Sequence, residues 1–353
     1  MTQQTSVTLG GGAGGSIRED LANYVSNIDR DETPFISSIG RGKATSTTHA
    51  WLTDVYADPA AQSVAEGAAF NQVGVDNDPA TGTVAAGTLS SQTNRVRLDN
   101  ETQIFRAQIE VSNTAVAVNT AGIANEFAYQ LKKKGVEVRR NVEFQATRYN
   151  LTGSTKASGV TRRMGSLFSY LYEDNLVDNQ ATPGTFTYAT PGTGVSVPAV
   201  SGGTGGARAI QRSAIESLTT NMYGNGGRPN IIMMSHFLKP TFSTLFNANN
   251  TTATFSERRL SAMEKKLNIA ITGVMTDFGF DIALVPNYVM AGNGATSHAL
   301  AYDSRMLKSA VLRPLNPGKL NDYGDGKLGL VTEECTLEVM NPRACGAIFS
   351  LSA

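Results

Sequence analysis

Charge, sulfur and imidazole are all scarce in this chain. Of 353 residues, 17% are Asp, Glu, Lys or Arg, against about 25% in ordinary soluble domains. Thirty cations balance thirty anions, so the formal net charge is zero. Tight binding to nucleic acid or to an acidic membrane relies on clustered cationic charge, which this balance argues against. Zero charge also removes the repulsion that keeps identical molecules apart. Two cysteines, Cys335 and Cys345, cannot staple a chain of this length, so a reducing compartment is expected. Met1 to Ser6 lacks the basic and then apolar blocks of a secretory signal. The longest uncharged run, residues 179–207, is rich in Pro, Gly and Thr and reads as a loop, not a membrane helix. The catalytic repertoire is equally thin. The histidines, His49, His236 and His298, are scattered, and no H-E-x-x-H, C-x-x-C, G-x-S-x-G or G-x-x-x-x-G-K-[ST] pattern occurs. The composition points to a soluble protein of cytosolic origin that tolerates contact with its own copies.

What is present has a definite order. Residues 1–15 end in a run of glycines and read as a flexible arm. A helix is expected from Ser16, which sits three residues before Glu19, with Ile17, Leu21, Val25 and Ile28 on one stripe. Pro34 ends it by disfavouring helix at Thr33. Residues 51–56 read as a strand. A long excursion rich in Gly, Ala and Asp follows to about residue 92. Residues 95–98 and 103–111 then alternate apolar and polar like half-exposed strands. Together these make a long hairpin with little core of its own, sensible only if it packs on another chain.

From about Thr120 to Asn150 a long helix is expected, roughly 42 Å at 1.5 Å per residue. Ile123, Phe127, Leu131, Val138, Val142 and Tyr149 form its apolar face. Glu126, Lys132, Lys133, Lys134, Glu137, Arg139, Arg140, Glu143 and Arg148 are expected on the solvent face. Beyond Gly153 the pattern becomes mixed α/β. Helices are expected at 209–223 and 237–246, and strands at 231–234, 269–271 and 282–285. A closing sheet is expected from 310–312, 329–332, 336–339 and 347–350.

The candidate chemical signals are weak on inspection. Gly10 to Gly15 matches G-x-G-x-x-G, but no adequate strand precedes it and no strand ending in an acid follows the helix, so a flexible arm is the reading kept over dinucleotide binding. Ser235 and His236 are adjacent and so point apart, which favours a satisfied structural histidine over a base with its nucleophile. Cys335 and Cys345 read as small core residues. Lys132–Lys134 is either a solvated face or a docking surface for an acidic partner. Charge distribution favours docking. Residues 51–98 hold five acids against two arginines, a net of −3, and residues 119–150 hold six cations against three glutamates, a net of +3. An acidic loop and a basic helix in one chain suggest pairing between copies.

The order of parts resembles the phage major capsid proteins of the Hong Kong 97 type. Short stretches carry a closer likeness to one tailed-phage head-protein family: Asp31 to Phe35 with Ile39-Gly40, His49 to Asp54, and Asn100 to Phe105 leading to Val111-Ser112. Asp277-Phe278-Gly279 with Val285-Pro286-Asn287, and Glu334 to Ser350 around Thr336 to Val339, belong to the same series. The resemblance implies an α+β fold of the Hong Kong 97 type. Its parts would be an N-terminal arm (1–50), an extended β-hairpin loop (51–112), a peripheral domain with a long spine helix (113–154 and 306–353) and a mixed α/β axial domain (155–305) with a loop insertion at 176–206. It implies a major capsid protein, not an enzyme, that self-assembles into hexamers and pentamers of an icosahedral phage head enclosing double-stranded DNA. An encapsulin-like cellular compartment shell is the alternative.

No catalytic residue, cofactor or metal is expected. The expected partners are further copies of the chain, a separate scaffolding protein, a portal protein, a possible decoration protein and weakly held DNA, with no membrane. The expected setting is the virion shell, assembled in the bacterial host cytoplasm. No long charged helical leader is seen, which is why the scaffold is expected to be separate. No lysine lies between Lys43 and Lys132, so the loop cannot supply the amine of an isopeptide weld. The proposed inter-subunit contacts are Lys133, Lys134 and Arg140 against Asp54, Asp58 and Glu66 of a neighbouring copy.

Overall fold

The computed structural model describes residues 29–54, 66, 73–74, 86–87, 95–118, 123, 125–149, 161–187, 197–245, 272–319 and 324–352. The helix expected from Ser16, the strand at 269–271 and Asp58 lie outside the described residues.

Pro34 starts a helix. With its φ already suited to the first helical position, it opens α1 (Pro34–Ser38) behind Thr33. Strands β1 (Gly40–Lys43) and β2 (Thr48–Thr53) follow. The excursion beyond them contains two short strands, β3 (Val73–Gly74) and β4 (Ala86–Gly87), paired antiparallel. The chain returns as β5 (Val96–Glu101) and β6 (Gln103–Ser112). Ser112 then caps α2 (Asn113–Ala117), its Oγ accepting the Ala115 N–H at 3.2 Å.

The long helix is α3 (Glu126–Ala146), 21 residues, or roughly 31 Å. It is shorter than expected because Asn125 caps it: the Asn125 Oδ1 accepts the Ala128 N–H at 3.1 Å, so helix begins at Glu126 and not near Thr120. Strands β7 (Leu176–Asp178), β8 (Thr185–Thr187) and β9 (Ala199–Ser201) precede α4 (Arg212–Gly224). Gly226, at φ +80°, lets the Gly227 N–H turn back to the Met222 carbonyl at 2.7 Å and close α4. Then come β10 (Ile231–Ser235), α5 (Leu238–Leu245), β11 (Gly273–Met275), β12 (Asp281–Asn287) and β13 (Ala299–Tyr302). The chain ends in β14 (Leu307–Lys319), β15 (Gly326–Val339) and β16 (Cys345–Phe349).

The chain divides into two compact units. One comprises 1–32, 105–140 and 315–333; the other comprises 33–104, 141–314 and 334–353. In the first, the Phe127 ring lies against Gly329, where an added Cβ would stand 2.9 Å from the ring. Asn113 also holds Asp325 there, through a backbone bond of 3.1 Å and a side-chain bond of 3.0 Å. The second unit is built on a six-stranded mixed sheet in the order β11-β12-β10-β13-β16-β7. Within it β10 runs parallel to β12 and β16 parallel to β7. Helix α4 lays Ile215, Leu218 and Met222 on this sheet, joining Ile232, Met234, Phe242, Ile282 and Ile348 in one buried cluster.

The closing strands do not form one sheet. Segments 329–332 and 336–339 are one continuous strand, β15. With β14 it belongs to a four-stranded sheet ordered β1-β14-β15-β6, whereas β16 lies between β13 and β7 in the six-stranded one. Strand β6 also departs from expectation: it leaves the hairpin to form the edge of that four-stranded sheet, so β5 alone is the returning arm. Both cysteines are buried and unpaired by disulfide, as core residues of two different sheets.

Candidate assembly site

The hairpin is rooted by one of its faces. β2 and β5 pair antiparallel from Thr48↔Glu101 to Thr53↔Val96, and strand alternation sends His49, Trp51, Leu98 and Asn100 to one side. That side is tied to β15. The Trp51 Nε1–H donates to the Val339 carbonyl at 2.8 Å, and the Asn100 Nδ2–H to the Leu337 carbonyl at 2.7 Å. His49 Nε2 lies 3.0 Å from Glu338 Oε2, and the Thr336 hydroxyl donates to the Glu101 carbonyl at 2.9 Å. Tyr170 adds an O–H bond to the Asp99 carbonyl at 2.7 Å. The opposite side carries Leu52, 63% exposed, opposite exposed Arg97.

Glu334 is the electrostatic anchor of this root. Its carboxylate accepts the Thr102 hydroxyl at 2.9 Å, Arg162 Nη2–H at 3.0 Å and Arg313 Nε–H at 2.7 Å. Burial alone would raise this carboxyl, but the hydroxyl and the two guanidiniums more than offset it and hold it below the usual carboxylate value. Periodicity gave no sign of this residue, since its partners lie 21 to 232 positions away.

A second buried carboxylate overturns an expectation. Glu143 belongs to the core, not the solvent face, and is fully buried. Its Oε1 accepts the Phe35 N–H at 2.7 Å and Asn287 Nδ2–H at 2.6 Å, and its Oε2 accepts the Ile36 N–H at 2.8 Å. Those backbone donors are orphans at the start of α1, so a side chain of α3 caps a helix more than a hundred residues upstream. Burial raises the carboxyl from 4.5 to about 7, against the opposing pull of Ile36, Phe35 and Asn287.

The proposed contact residues stand as follows. Lys133 is exposed and Arg140 half-buried on α3. Lys134 is already engaged, its Nζ 2.7 Å from Glu137 Oε2 one turn along the same helix. Asp54 is paired with Arg95 at 3.4 Å, and Glu66 is exposed in a turn. Ser235 Oγ and His236 Nδ1 are buried and unpartnered among the described residues. No base-to-nucleophile bond joins them among the described residues. Among the described residues there is also no group of three or more His, Cys, Asp or Glu placed to hold a metal, and no helix is long and apolar enough to cross a membrane.

A mixed sheet with its helices, a rooted hairpin and a helix carrying a basic face together define a phage-capsid fold. Solved structures share it. The chain superposes on a capsid chain of cyanophage A-1(L) with a TM-score of 0.62 at 12% identity, covering 96% of this chain and 98% of that one. The capsid chain of Myoviridae phage XM1 gives 0.57 at 14% identity, covering 96% and 100%. The α+β fold of the Hong Kong 97 type is therefore the fold of this protein.

The family follows from the sequence. Residues 1–352 match the SU10 major capsid protein model, and the chain belongs to that family. It is 23% identical over 351 residues to the major capsid protein of Escherichia phage Phieco32, covering 94% of this chain and 93% of that one. It is a major capsid protein of a phage head, a component of the virion shell that assembles as many copies. These relatives favour a phage head over a cellular compartment shell.

Proposed function

We propose that the chain forms hexamers and pentamers of an icosahedral head around double-stranded DNA, with the hairpin of each copy lying on its neighbour. The observation that carries this is the hairpin's pairing. β2 and β5 form one two-stranded sheet and β3 and β4 another, and no third strand joins either among the described residues. A two-stranded ribbon is marginal alone, and this one is tied down at its root, so its far end needs a foreign surface. On this reading residues 1–50 act as the arm and 51–112 as the extended loop. Residues 113–154 and 306–353 form the peripheral domain, and 155–305 the axial domain. Assembly takes place in the host cytoplasm on a separate scaffolding protein, with a portal at one vertex and a decoration protein as an optional outer partner. DNA is contacted weakly, without sequence preference and in a salt-sensitive way.

The neighbour's surface for the loop acids is the basic face of α3. Withdrawal of Glu143 into the core leaves that face more positive than its formal +3. Lys133 and Arg140 meet Asp54, Asp58 or Glu66 of the adjacent copy, and Lys134 joins them by exchanging its Glu137 partner. Each rim pair contributes about 0–1 kcal/mol, small in one subunit and decisive when repeated around a closed shell. Two variants test this by electron microscopy. Deleting residues 67–86 should leave a folded subunit that forms no closed shell. Reversing Lys133, Lys134 and Arg140 to Glu should cut shell yield with little change in the subunit's melting temperature. Normal particles from the deletion would remove the inter-subunit role of the loop.

A further inference from the structure

Two exposed aromatic clusters sit at opposite ends of the same strand pair in the second unit. At one end, Tyr223 at the close of α4 stacks on Phe278 at 4.6 Å and 13°, and Phe280 continues the stack at 6.1 Å from Phe278. Met275 beside them on edge strand β11 is 73% exposed. At the other end, the His236 ring lies 4.0 Å from Phe237 and 5.4 Å from Tyr288. Tyr223, Phe278, Phe237 and Tyr288 are each 40–51% exposed. Topology fixes their separation. Phe278 and Phe280 precede β12 and Tyr223 precedes β10, whereas Phe237 follows β10 and Tyr288 follows β12. β10 and β12 are parallel, so the clusters lie beyond opposite ends of the pair, roughly 20 Å or more apart at 3.3 Å per residue.

A ring of identical subunits needs two different surfaces per copy, one for the neighbour on each side. Aromatic and Met side chains are what interface cores favour. The surrounding charges also match. Residues 272–281 carry Asp277 and Asp281, with Arg228 shortly before β10 in the sequence, whereas residues 235–245 and 286–298 carry no acid and one cation, Lys239, whose Nζ donates to the Leu284 carbonyl at 3.2 Å. We infer that the Tyr223–Phe278–Met275 cluster of one copy docks on the Phe237–Tyr288 cluster of the next, a head-to-tail contact that closes the capsomer ring. This rests on the head-building reading above and assigns that ring its residues.

Two double variants of the full chain test it: Tyr223→Ser with Phe278→Ser, and Phe237→Ser with Tyr288→Ser. Native mass spectrometry should find each alone as a monomer, with a loss of about tenfold or more in capsomers and shells relative to wild type. An equal mixture has one intact pair of surfaces and should give heterodimers without rings. Wild-type shell yield from either variant, or self-dimers of either, overturns the head-to-tail contact while wild-type shells keep the head-building reading intact. Wild-type protein that forms no capsomer alone and no shell with its scaffolding protein would overturn both. A photo-crosslinking phenylalanine analogue at position 237 in otherwise wild-type shells gives a readout independent of variant folding. Linkage to 223–228 or 272–281 of a neighbour supports the contact, and linkage elsewhere refutes it.

Discussion

The buried Glu143 makes subunit stability depend on pH in a direction opposite to that of most carboxylates. Its carboxyl rises from 4.5 to about 7 on folding, because burial outweighs the three donors around it. The folded state therefore holds the proton more tightly than the unfolded chain. The stability this group contributes is complete below pH 4.5 and is lost as pH climbs through 7. With those two values, linkage gives a loss of roughly 2–3 kcal/mol between pH 5 and pH 8. Tyr302 nearby stays neutral throughout, since burial pushes its hydroxyl above the usual tyrosine value. Glu143→Gln removes the titration and keeps the shape. Its amide nitrogen, however, must face the N–H of Phe35 or Ile36, at a pH-independent cost of roughly 1–3 kcal/mol. Urea unfolding of the unassembled subunit at pH 5, 6, 7 and 8, for wild type and variant, isolates the effect, because every other titrating group cancels in the difference. The wild-type advantage over Glu143→Gln should shrink by roughly 2–3 kcal/mol across that range. An advantage that stays flat or grows with pH would show that the converging donors defeat burial, and the reasoning fails.

Three further outcomes are expected. Glu334→Ala strands Arg162, Arg313 and the Thr102 hydroxyl and should cost about 1–3 kcal/mol by urea unfolding at pH 7; because this carboxyl is held low, the difference from wild type should narrow as pH falls below 4.5. Gly346→Ala would place a Cβ 2.7 Å from the Asn175 carbonyl and 2.8 Å from Leu218 Cδ1, so a loss of about 1–3 kcal/mol is expected in the same assay. Mature particles boiled in detergent and reductant should run as one band near 37.4 kDa, whereas a ladder would reveal a covalent weld.

Where local pattern determines structure, the sequence was legible. Ile215, Leu218 and Met222 recur at helical spacing and α4 buries all three; 231–234 and 282–285 are apolar runs and both are strands of the second unit's sheet. What stayed hidden depends on partners distant in sequence. Glu143 looked solvent-facing because nothing near it in sequence announces donors from Phe35, Ile36 and Asn287. The apolar pattern separates 329–332 from 336–339, yet β15 runs through both, and Glu334 between them is buried because two arginines and a threonine converge on it. The strand character of 347–350 was visible, but which sheet this segment joins is decided by β13 and β7, elements far upstream. The candidate contacts were legible only as opposite charges on one chain; that Lys134 and Asp54 already hold Glu137 and Arg95 required the coordinates.

The root of the hairpin has a mechanical consequence. If a neighbour holds the far end of the loop, as proposed above, it pulls on β2 and β5 together, so the ladder between them bears little of the load. Tension runs down both strands to Trp51, Asn100, Glu101 and Thr102, and through their bonds to Glu334, Thr336, Leu337 and Val339. All four receiving residues lie on the last six positions of β15. When internal pressure stretches the wall, that short stretch of one strand acts as the hinge pin. On that reading, the load on each loop is borne there by several modest bonds that must break at once.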